Sequence, residues 1–234
     1  MAKQKHERHL ELSLPDIHQN PLLSESTPTA DTTEFDAPAT FKRKRNTANR
    51  ELRDQRRIQT AAEALSGFDN TMQIYGFTKG AFSVIDIITE LVKITGPADL
   101  TISTWTAAKL DITRVLEFCE SGAIRSARWL TDLTFQRRTP ELAQRIRDVF
   151  GKDAIRVAKV HSKFALISNQ SWKIVLQTSM NLNFSPRFEN FSVAHDPELH
   201  DFINAIVTEV WTKQSKSKAF DNPHAIEKHF YEDL

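Results

Sequence analysis

The sequence predicts an α/β fold in which helices flank a mixed β-sheet as an α-β-α sandwich. Two observations lead to this fold class. Short runs of β-branched and apolar residues alternate along the chain with amphipathic helical patterns. In one place two strand-like runs are separated only by the polar turn Ser168-Asn169-Gln170-Ser171, which is typical of a hairpin. The alternation favours a layered α/β domain, and the hairpin makes part of its sheet antiparallel.

The predicted elements follow one another without a long interruption. Residues 72–77 read as a strand, and residues 81–94 have helical spacing that Gly96-Pro97 ends. Residues 98–105 read as the second strand, a helix follows that Gly122 closes, and residues 124–133 read as the third strand. Pro140 stands in the first turn of the next helix, where its missing N–H costs nothing. We predict a strand over 154–167, its hairpin partner over 172–176, a strand over 188–194 and a last helix over 197–211.

The chain has 234 residues, enough for one domain with extensions at both ends. We expect a disordered N-terminal tail over 1–40, a basic arm and helix over 41–67, a folded domain over 68–213 and a C-terminal extension over 214–234. The tail is polar and interrupted by prolines, so it is unfit for a packed core. A short leucine-rich patch within it could dock a partner protein, and a loose tail is the alternative reading.

Composition excludes several classes of protein. The single cysteine, Cys119, excludes a disulfide framework and makes a cysteine-based zinc site implausible. We expect no metal and no cofactor, because the histidines and carboxylates show no convincing ligand spacing. The sequence has neither a long apolar run nor a hydrophobic signal core, so we expect a soluble cytoplasmic protein without stable membrane association.

Positive charge is clustered although the totals nearly balance, with Lys+Arg 31 against Asp+Glu 30. The cluster Lys42, Arg43, Lys44 and Arg45 precedes a helical pattern over 47–65 that carries four more arginines. A basic helix behind such a cluster suits contact with a nucleic-acid backbone. A solvated helix packed on the domain or on a second subunit is the alternative.

Four polar side chains are predicted to meet on the hairpin. His161 and Lys163 are two residues apart in the predicted strand, and so are Ser179 and Asn181 after the second arm. Alternation along a strand would place each pair on one face of the sheet. A base or nucleophile, a fixed cation and two hydrogen-bonding groups together suit a phosphoryl group.

These residues resemble the active-site motif of the phospholipase D superfamily, and most of all its single-motif bacterial and phage endonucleases. The family pattern is His-x-Lys, four residues, Asp, about six residues, Gly-Ser-x-Asn and a downstream Glu before a strand. Here it reads His161-x-Lys163, then Ser179-x-Asn181, then Glu189, within a likeness that covers roughly residues 70–212. The resemblance implies that His161 forms a phosphohistidine, that Lys163, Ser179 and Asn181 hold the phosphate, and that Glu189 orients the histidine.

The sequence departs from the family pattern at two positions. Ser168 stands where the family has Asp, and Thr178 where it has Gly. The tyrosyl-DNA phosphodiesterase branch also lacks that Asp and has Asn. A catalytically degenerate domain that only binds nucleic acid is therefore the second hypothesis.

The family reaction uses two histidines, one as nucleophile and one as acid for the leaving group. The predicted domain contains no histidine before His161. We therefore expect a homodimer in which His161 of each subunit meets across a two-fold interface.

DNA is the expected substrate, with RNA or phospholipid as alternatives. Arg137 and Arg138, in a loop after a predicted strand, are candidates for phosphate contact. Trp105 and Trp129 lie near strand ends and could stack on bases, but we expect both to pack in the core. The sequence thus favours a metal-independent DNA endonuclease over a binding module or a lipid phosphodiesterase.

Overall fold

A computed structural model describes residues 40–43 and 57–213 of the chain. The predicted N-terminal tail apart from Thr40, residues Lys44 and Arg45, most of the predicted basic helix and the C-terminal extension lie outside the described residues.

The described chain forms seven strands that join in one sheet. Their bounds are β1 Gln73–Thr78, β2 Ala98–Thr104, β3 Ile124–Asp132, β4 Ile155–Ala158, β5 Phe164–Ser168, β6 Lys173–Thr178 and β7 Glu189–His195. The helices are α1 Ala61–Ala64, α2 Val84–Thr95, α3 Lys109–Glu120, α4 Phe135–Arg138, α5 Pro140–Phe150 and α6 Pro197–Lys213, with a 3-10 turn at Lys152–Ala154.

The sheet has the order β1-β7-β6-β5-β2-β3-β4. Strands β2, β3 and β4 are parallel, and every other neighbouring pair is antiparallel. The carboxyl ends of β1, β2, β3, β4 and β6 therefore lie at one edge of the sheet, together with the amino ends of β5 and β7. We call this the carboxyl edge. The predicted mixed α/β fold is confirmed.

Helices cover both faces of the sheet. On one face, residues such as Ile102, Trp129 and Leu176 belong to a large apolar cluster with α2, α3 and α5. On the other face, Leu130 and Ala158 pack in a smaller cluster with side chains of α6. Because neighbouring residues of a strand point to opposite faces, Trp129 and Leu130 belong to different layers.

The predicted long strand over 154–167 is wrong, because the structure divides it into β4 and β5. These two strands lie three positions apart in the sheet, so residues 159–163 must cross the carboxyl ends of β3 and β2. Three strand spacings amount to about 14 Å, and six peptide steps reach at most about 20 Å. The crossing segment 159–163 is therefore long enough for this span without full extension, and it begins with a bend at Lys159.

The predicted helix over 47–65 is shorter within the described residues, where α1 begins only at Ala61. Thr60 caps it, and Glu63 completes a reciprocal capping box. Arg57 has a φ of 63°, which no helix accommodates, so the helix cannot extend back through this residue. Helix α4 was not predicted, because its single turn is too short to show helical periodicity.

Two carboxylates on neighbouring helices have opposite pKa shifts. Burial raises the pKa of Asp111 to about 6, with a further rise from the nearby Asp86 and an opposing effect of Arg114. Burial also disfavours ionised Asp86, but hydrogen bonds from Arg114 and Ser83 outweigh it and lower the pKa of Asp86. Arg114 Nη1 lies 2.6 Å from Asp86 Oδ1, which accounts for the difference. Ionised Asp111 thus destabilises the fold at neutral pH, whereas ionised Asp86 stabilises it.

We expect Asp111→Asn to raise the free energy of unfolding at pH 7.5 by about 1–3 kcal/mol. The folded protein binds the proton of Asp111 more tightly than the unfolded chain does. The stability contributed by this group is therefore complete below about pH 4 and is lost as the pH rises through about 6. Urea denaturation at pH 4 and pH 7.5 measures the effect, and the gain should shrink at the lower pH. Asp86→Asn is the matched control and should destabilise at pH 7.5; an equal effect of both variants would contradict the assignment.

Candidate active site at the carboxyl edge of the sheet

The predicted site residues come together at the carboxyl edge. His161 and Lys163 lie in the crossing segment, Ser179 and Asn181 directly follow β6, and Glu189 is the first residue of β7. The backbone N–H of Thr178 donates to the carbonyl of Lys163, and the N–H of Ser179 donates to the carbonyl of Asn190. These bonds fix the three segments side by side. Ligands of α/β sheets commonly bind at such an edge.

His161 and Lys163 contact each other, although not for the reason that the sequence suggested. Neither residue is in a strand, so the predicted strand alternation is wrong. Lys163 Nζ donates to the carbonyl of His161 at 2.7 Å and lies 3.0 Å from Nδ1 and 3.2 Å from Nε2 of its ring. Ser103 Oγ of β2 donates to the carbonyl of Ser162 at 3.0 Å, which ties the crossing segment to the sheet beneath it. The imidazole remains exposed to solvent.

Ser179 and Glu189 form the other half of the site. Ser179 Oγ donates to Glu189 Oε2 at 2.5 Å and accepts from the N–H of Asn190 at 3.0 Å. Ser185 Oγ donates to Glu189 Oε1 at 3.2 Å, so both carboxylate oxygens have a hydroxyl donor. Within the described residues, these contacts join Glu189 to the two serines and none joins it to His161. Its predicted role in orienting His161 stays a prediction.

Electrostatics link the two halves. Partial burial lowers the pKa of Lys163, and the negative charge of Glu189 opposes that shift. An ammonium that has lost part of its hydration interacts more strongly with a phosphate oxygen than a fully solvated one. The pair of Lys163 and Glu189 thus suits a site that receives an anion.

Asn181 is positioned by the chain on either side of it. Leu182 accepts a hydrogen bond from the N–H of Ala108 at 2.8 Å and donates to Thr104 Oγ1 at 3.1 Å, so this segment is tied to the end of β2. Asn181 Oδ1 is buried and has no hydrogen-bond partner in the part of the chain that the structure describes. Such a buried polar atom costs about 1–3 kcal/mol, and functional sites are where this cost is tolerated.

Ser168, at the position of the family's Asp, lies far from these residues. It pairs with Lys173 at the hairpin turn, at the opposite end of β5 from His161. Four residue steps along a strand span about 13 Å. The neighbouring Asn169 holds the turn, because its Oδ1 accepts from the N–H groups of Ser171 and Trp172 and its Nδ2 donates to the carbonyl of Thr95. The replaced acid therefore leaves no gap among the residues at the carboxyl edge.

The predicted basic contacts divide into two groups. Arg43 forms a bidentate ion pair with the buried Asp196, at 2.7 and 2.5 Å, and its pKa is raised by the hydrogen bond to that carboxylate. Asp196 directly follows β7 and therefore lies at the edge opposite His161. Arg137 and Arg138 are exposed on α4 at the carboxyl edge, and Lys42 is exposed beside Arg43. Phosphate binding by these residues stays a prediction.

The two tryptophans differ in exposure. Trp129 is 0% exposed, which confirms that it packs in the core. Trp105 is 36% exposed, so the expectation of core packing is wrong for this residue. It directly follows β2, and its ring centroid lies 6.1 Å from that of His161.

A cluster of exposed aromatic side chains near the site was not predicted from the sequence. Tyr75, Phe77 and Phe188 are 61%, 54% and 70% exposed, and we call them the edge aromatic patch. Phe77 and Phe188 stack at 4.8 Å, and Tyr75 meets Phe77 edge-on at 5.4 Å. Tyr75 Oη also accepts from Asn190 Nδ2 at 3.2 Å, so the patch borders the site. The signal was present in the spacing of Tyr75 and Phe77, which places both on one face of an edge strand.

No protein-family model matches the sequence, and no curated protein matches it significantly. Several solved structures are similar in fold. The chain overlaps polyphosphate kinase from Porphyromonas gingivalis with 14% identity and a TM-score of 0.46, over 63% of this chain and 27% of that one. It overlaps TrmBL2, described as an archaeal chromatin protein with a novel mode of DNA binding, with 11% identity and a TM-score of 0.44, over 67% of this chain and 59% of that one.

A third similar structure is NucT from Helicobacter pylori, with 14% identity and a TM-score of 0.40, over 59% of this chain and 96% of that one. The chain thus spans about a quarter of the polyphosphate kinase and more than half of TrmBL2. At this level, the similarity concerns the arrangement of the backbone and says nothing about activity.

Among the described helices, none combines the length and the apolar character that crossing a membrane requires.

Proposed function

We propose that this chain is a phospholipase D-like phosphodiesterase that cleaves DNA without a metal ion, through a phosphohistidine on His161. The observation that carries the proposal is the meeting of His161 and Lys163 with Ser179 and Glu189 at one edge of the sheet. A nucleophile, a cation and a hydroxyl supported by a carboxylate are the groups that phosphoryl transfer requires when no metal neutralises the phosphate.

The reaction follows from this arrangement in two displacements. A ring nitrogen of His161 attacks phosphorus, the P–O bond to the leaving group breaks, and the departing oxygen takes a proton from a second histidine. Water then attacks the phosphohistidine, gives its proton to the second histidine and breaks the P–N bond. His161 returns to its starting state, and the products are an alcohol and a phosphomonoester.

The remaining residues stabilise the charge that develops on the phosphate oxygens. Lys163 donates to the ring and carbonyl of His161 in the free protein, and an incoming phosphate would draw the ammonium toward itself. Ser179 and Asn181 would donate from the opposite side. Each fixed donor of this kind contributes roughly 10²–10³-fold to a rate in comparable sites.

The second histidine is proposed to be His161 of another copy. The folded region supplies no other histidine near the site, because His195 and His200 lie at the opposite end of β7 and at the start of α6. The edge aromatic patch is suited to an isologous contact, since exposed aromatic clusters are typical of interfaces. Tyr75 and Phe77 lie on β1, an outer strand of the sheet, and Phe188 directly precedes the neighbouring strand β7. A mass of one chain in solution would contradict this part of the proposal.

DNA is the proposed substrate because exposed arginines stand at the same edge as His161. Arg137 and Arg138 on α4 would contact the backbone near the cleaved phosphate. The basic arm of Lys42, Arg43, Lys44 and Arg45 would contact it farther away, in which case Arg43 would exchange Asp196 for phosphate.

Cleavage of supercoiled plasmid in the presence of EDTA tests the proposal. We expect nicked circles to accumulate at a rate that EDTA does not change. With plasmid labelled at its backbone phosphates, denaturation at alkaline pH during turnover should trap a DNA strand joined to the protein through a labelled phosphate, because a phosphohistidine survives base and hydrolyses in acid. Absence of cleavage, or cleavage that appears only with added divalent metal, would contradict the proposal.

The same preparation separates the two alternative functions. A binding module, which the replacement of the motif Asp by Ser168 would favour, gives salt-sensitive retention of DNA without any nicking. A lipid phosphodiesterase releases head groups from liposomes and leaves the plasmid intact.

A further inference from the structure

A stacked pair of side chains lies beside the proposed nucleophile. The Arg138 guanidinium lies over the Trp105 ring, 3.9 Å from its centroid. The indole in turn lies 6.1 Å from the His161 imidazole, centroid to centroid, at an interplanar angle of 54°. We call Trp105 and Arg138 the stacking pair.

Polar contacts hold the stacking pair in place. Arg138 Nη2 donates to the carbonyl of Trp105 at 2.8 Å, and its Nε donates to Thr134 Oγ1 at 3.0 Å. The guanidinium is thus fixed in the plane that stacks on the indole. Both side chains come from the carboxyl edge, Trp105 from the end of β2 and Arg138 from α4 after β3. The pair is therefore already assembled without a ligand.

The stacking pair has no structural task that explains its exposure. Trp105 is 36% exposed, whereas Trp129 on the adjacent strand is fully buried. In the described part of the chain, the contacts of Arg138 are with Trp105 and Thr134 and include no carboxylate. A large aromatic surface and an uncompensated positive charge are left facing solvent within reach of His161.

Nucleic acid matches both features. Flat bases stack on exposed aromatic rings and on guanidinium planes, and the arginine charge also attracts the adjoining phosphate. A base inside a duplex has both of its faces covered by neighbouring bases. Only an unpaired or extruded base can reach the indole.

We propose that Trp105 and Arg138 form a nucleobase subsite that holds the base next to the cleaved phosphate and gives the protein a preference for single-stranded DNA. The inference rests on the proposed function, because it places the cleaved phosphate at His161. The stacking pair acts by positioning the substrate, and neither side chain takes part in bond breaking.

Binding measurements test the subsite without depending on cleavage. All proteins carry His161→Ala, so that the labelled oligonucleotide stays intact, and fluorescence anisotropy reports the dissociation constant. We expect Trp105→Ala to weaken binding of a single-stranded oligonucleotide by about ten- to hundred-fold, as loss of one stacked base does elsewhere. Binding of the same sequence as a blunt duplex should change less than about two-fold, within the uncertainty of a surface substitution.

Two controls keep the result specific to stacking. Trp105→Phe retains an aromatic face and should recover most of the lost affinity. In an oligonucleotide whose residues are all abasic, the His161→Ala parent and its Trp105→Ala variant should bind equally, because no base remains to stack. Arg138→Ala should weaken single-strand binding and also reduce its dependence on salt, since one phosphate contact is lost.

Several outcomes would overturn the subsite. Equal binding of single strands by the His161→Ala parent and its Trp105→Ala variant would do so. An equal loss of affinity on single-stranded, duplex and abasic DNA would also do so. A stacking effect without cleavage by the His161-containing protein would leave the subsite standing and remove the proposed function. Cleavage of DNA without any effect of Trp105→Ala on single-strand binding would support the proposed function and remove the subsite.

Discussion

Replacement of His161 by alanine is expected to lower the rate of plasmid cleavage by about 10⁴- to 10⁶-fold, the effect that loss of a nucleophile has in other covalent catalysts. The side chain is exposed and its recorded polar contacts are with Lys163, so the fold should survive the change. The initial rate of nicking in EDTA measures the loss. The labelled phosphate trapped at alkaline pH should disappear with it.

His195→Ala is the matched control, because this histidine lies at the far end of β7 from the site. It should cleave at close to the native rate. Equal activity of His161→Ala and the native chain would contradict a covalent role for His161, and so would a comparable loss in His195→Ala at unchanged stability.

Mixing the two proteins extends the same prediction to the dimer. If His161 of both copies serves one reaction, a dimer with one altered subunit is inactive. An equal mixture of native and His161→Ala chains, allowed to exchange subunits, should then retain roughly a quarter of the native activity rather than half. Retention of half would indicate that each chain acts alone.

Trp129→Ala is expected to lower the free energy of unfolding by about 3–5 kcal/mol, the usual cost of removing a large aromatic side chain from a core. Trp129 is among the largest fully buried side chains and packs with the ring of Phe150 at 6.0 Å. Its loss leaves a cavity between β3 and α5 that the sheet cannot close. Urea denaturation followed by circular dichroism measures the change.

Trp129→Phe is the informative control. The indole nitrogen of Trp129 is buried and has no hydrogen-bond partner among the described residues. Phenylalanine removes that unsatisfied donor and keeps most of the apolar surface, so it should cost much less than alanine. A loss as large as that of Trp129→Ala would show that the indole nitrogen has a partner. Trp105→Ala should lower the free energy of unfolding by less than Trp129→Ala does, because the Trp105 ring is partly exposed.

The elements that could be predicted from the sequence are those with strong local periodicity. Helices α2, α3, α5 and α6 each show an apolar stripe, and strands β1, β2, β3, β6 and β7 are bounded by turn residues or by glycine and proline. The hairpin of β5 and β6 was also predictable, because its turn is polar and its arms are apolar. The spacing of apolar residues was sufficient to predict an element wherever neighbouring residues in the chain determine its conformation.

The crossing segment could not be predicted, because its conformation is set by where β4 and β5 lie in the sheet. The apolar Val160 among polar residues resembles a half-buried strand, and nothing in the local sequence shows that the segment pairs with no neighbour. His161 and Lys163 nevertheless met as expected, since the lysine side chain folds back on the carbonyl of His161. The strand that was expected to bring them together is absent, and their role in catalysis stays a prediction.

Contacts between side chains that are distant in the chain could not be predicted from the sequence either. Arg43 is separated from Asp196 by 153 positions, so its ion pair could not be foreseen from a basic cluster. Trp105 and Trp129 occupy similar places at strand ends in the sequence. In the structure Trp129 lies within β3 and is covered by α5, whose Phe150 ring is 6.0 Å away, while Trp105 follows the end of β2 and is partly exposed.

The crossing segment 159–163 has a consequence for how the protein would lose activity. Its two anchors are β5, in the middle of the sheet, and β4, a four-residue strand that pairs only with β3 at the margin. Short marginal strands open locally at a lower free energy than the centre of a sheet does. All four residues of β4 are nevertheless buried, and Ile155 and Val157 belong to the large apolar cluster. Release of β4 would therefore open part of the core, so that His161 would lose its position beside Ser179 only together with this margin of the sheet.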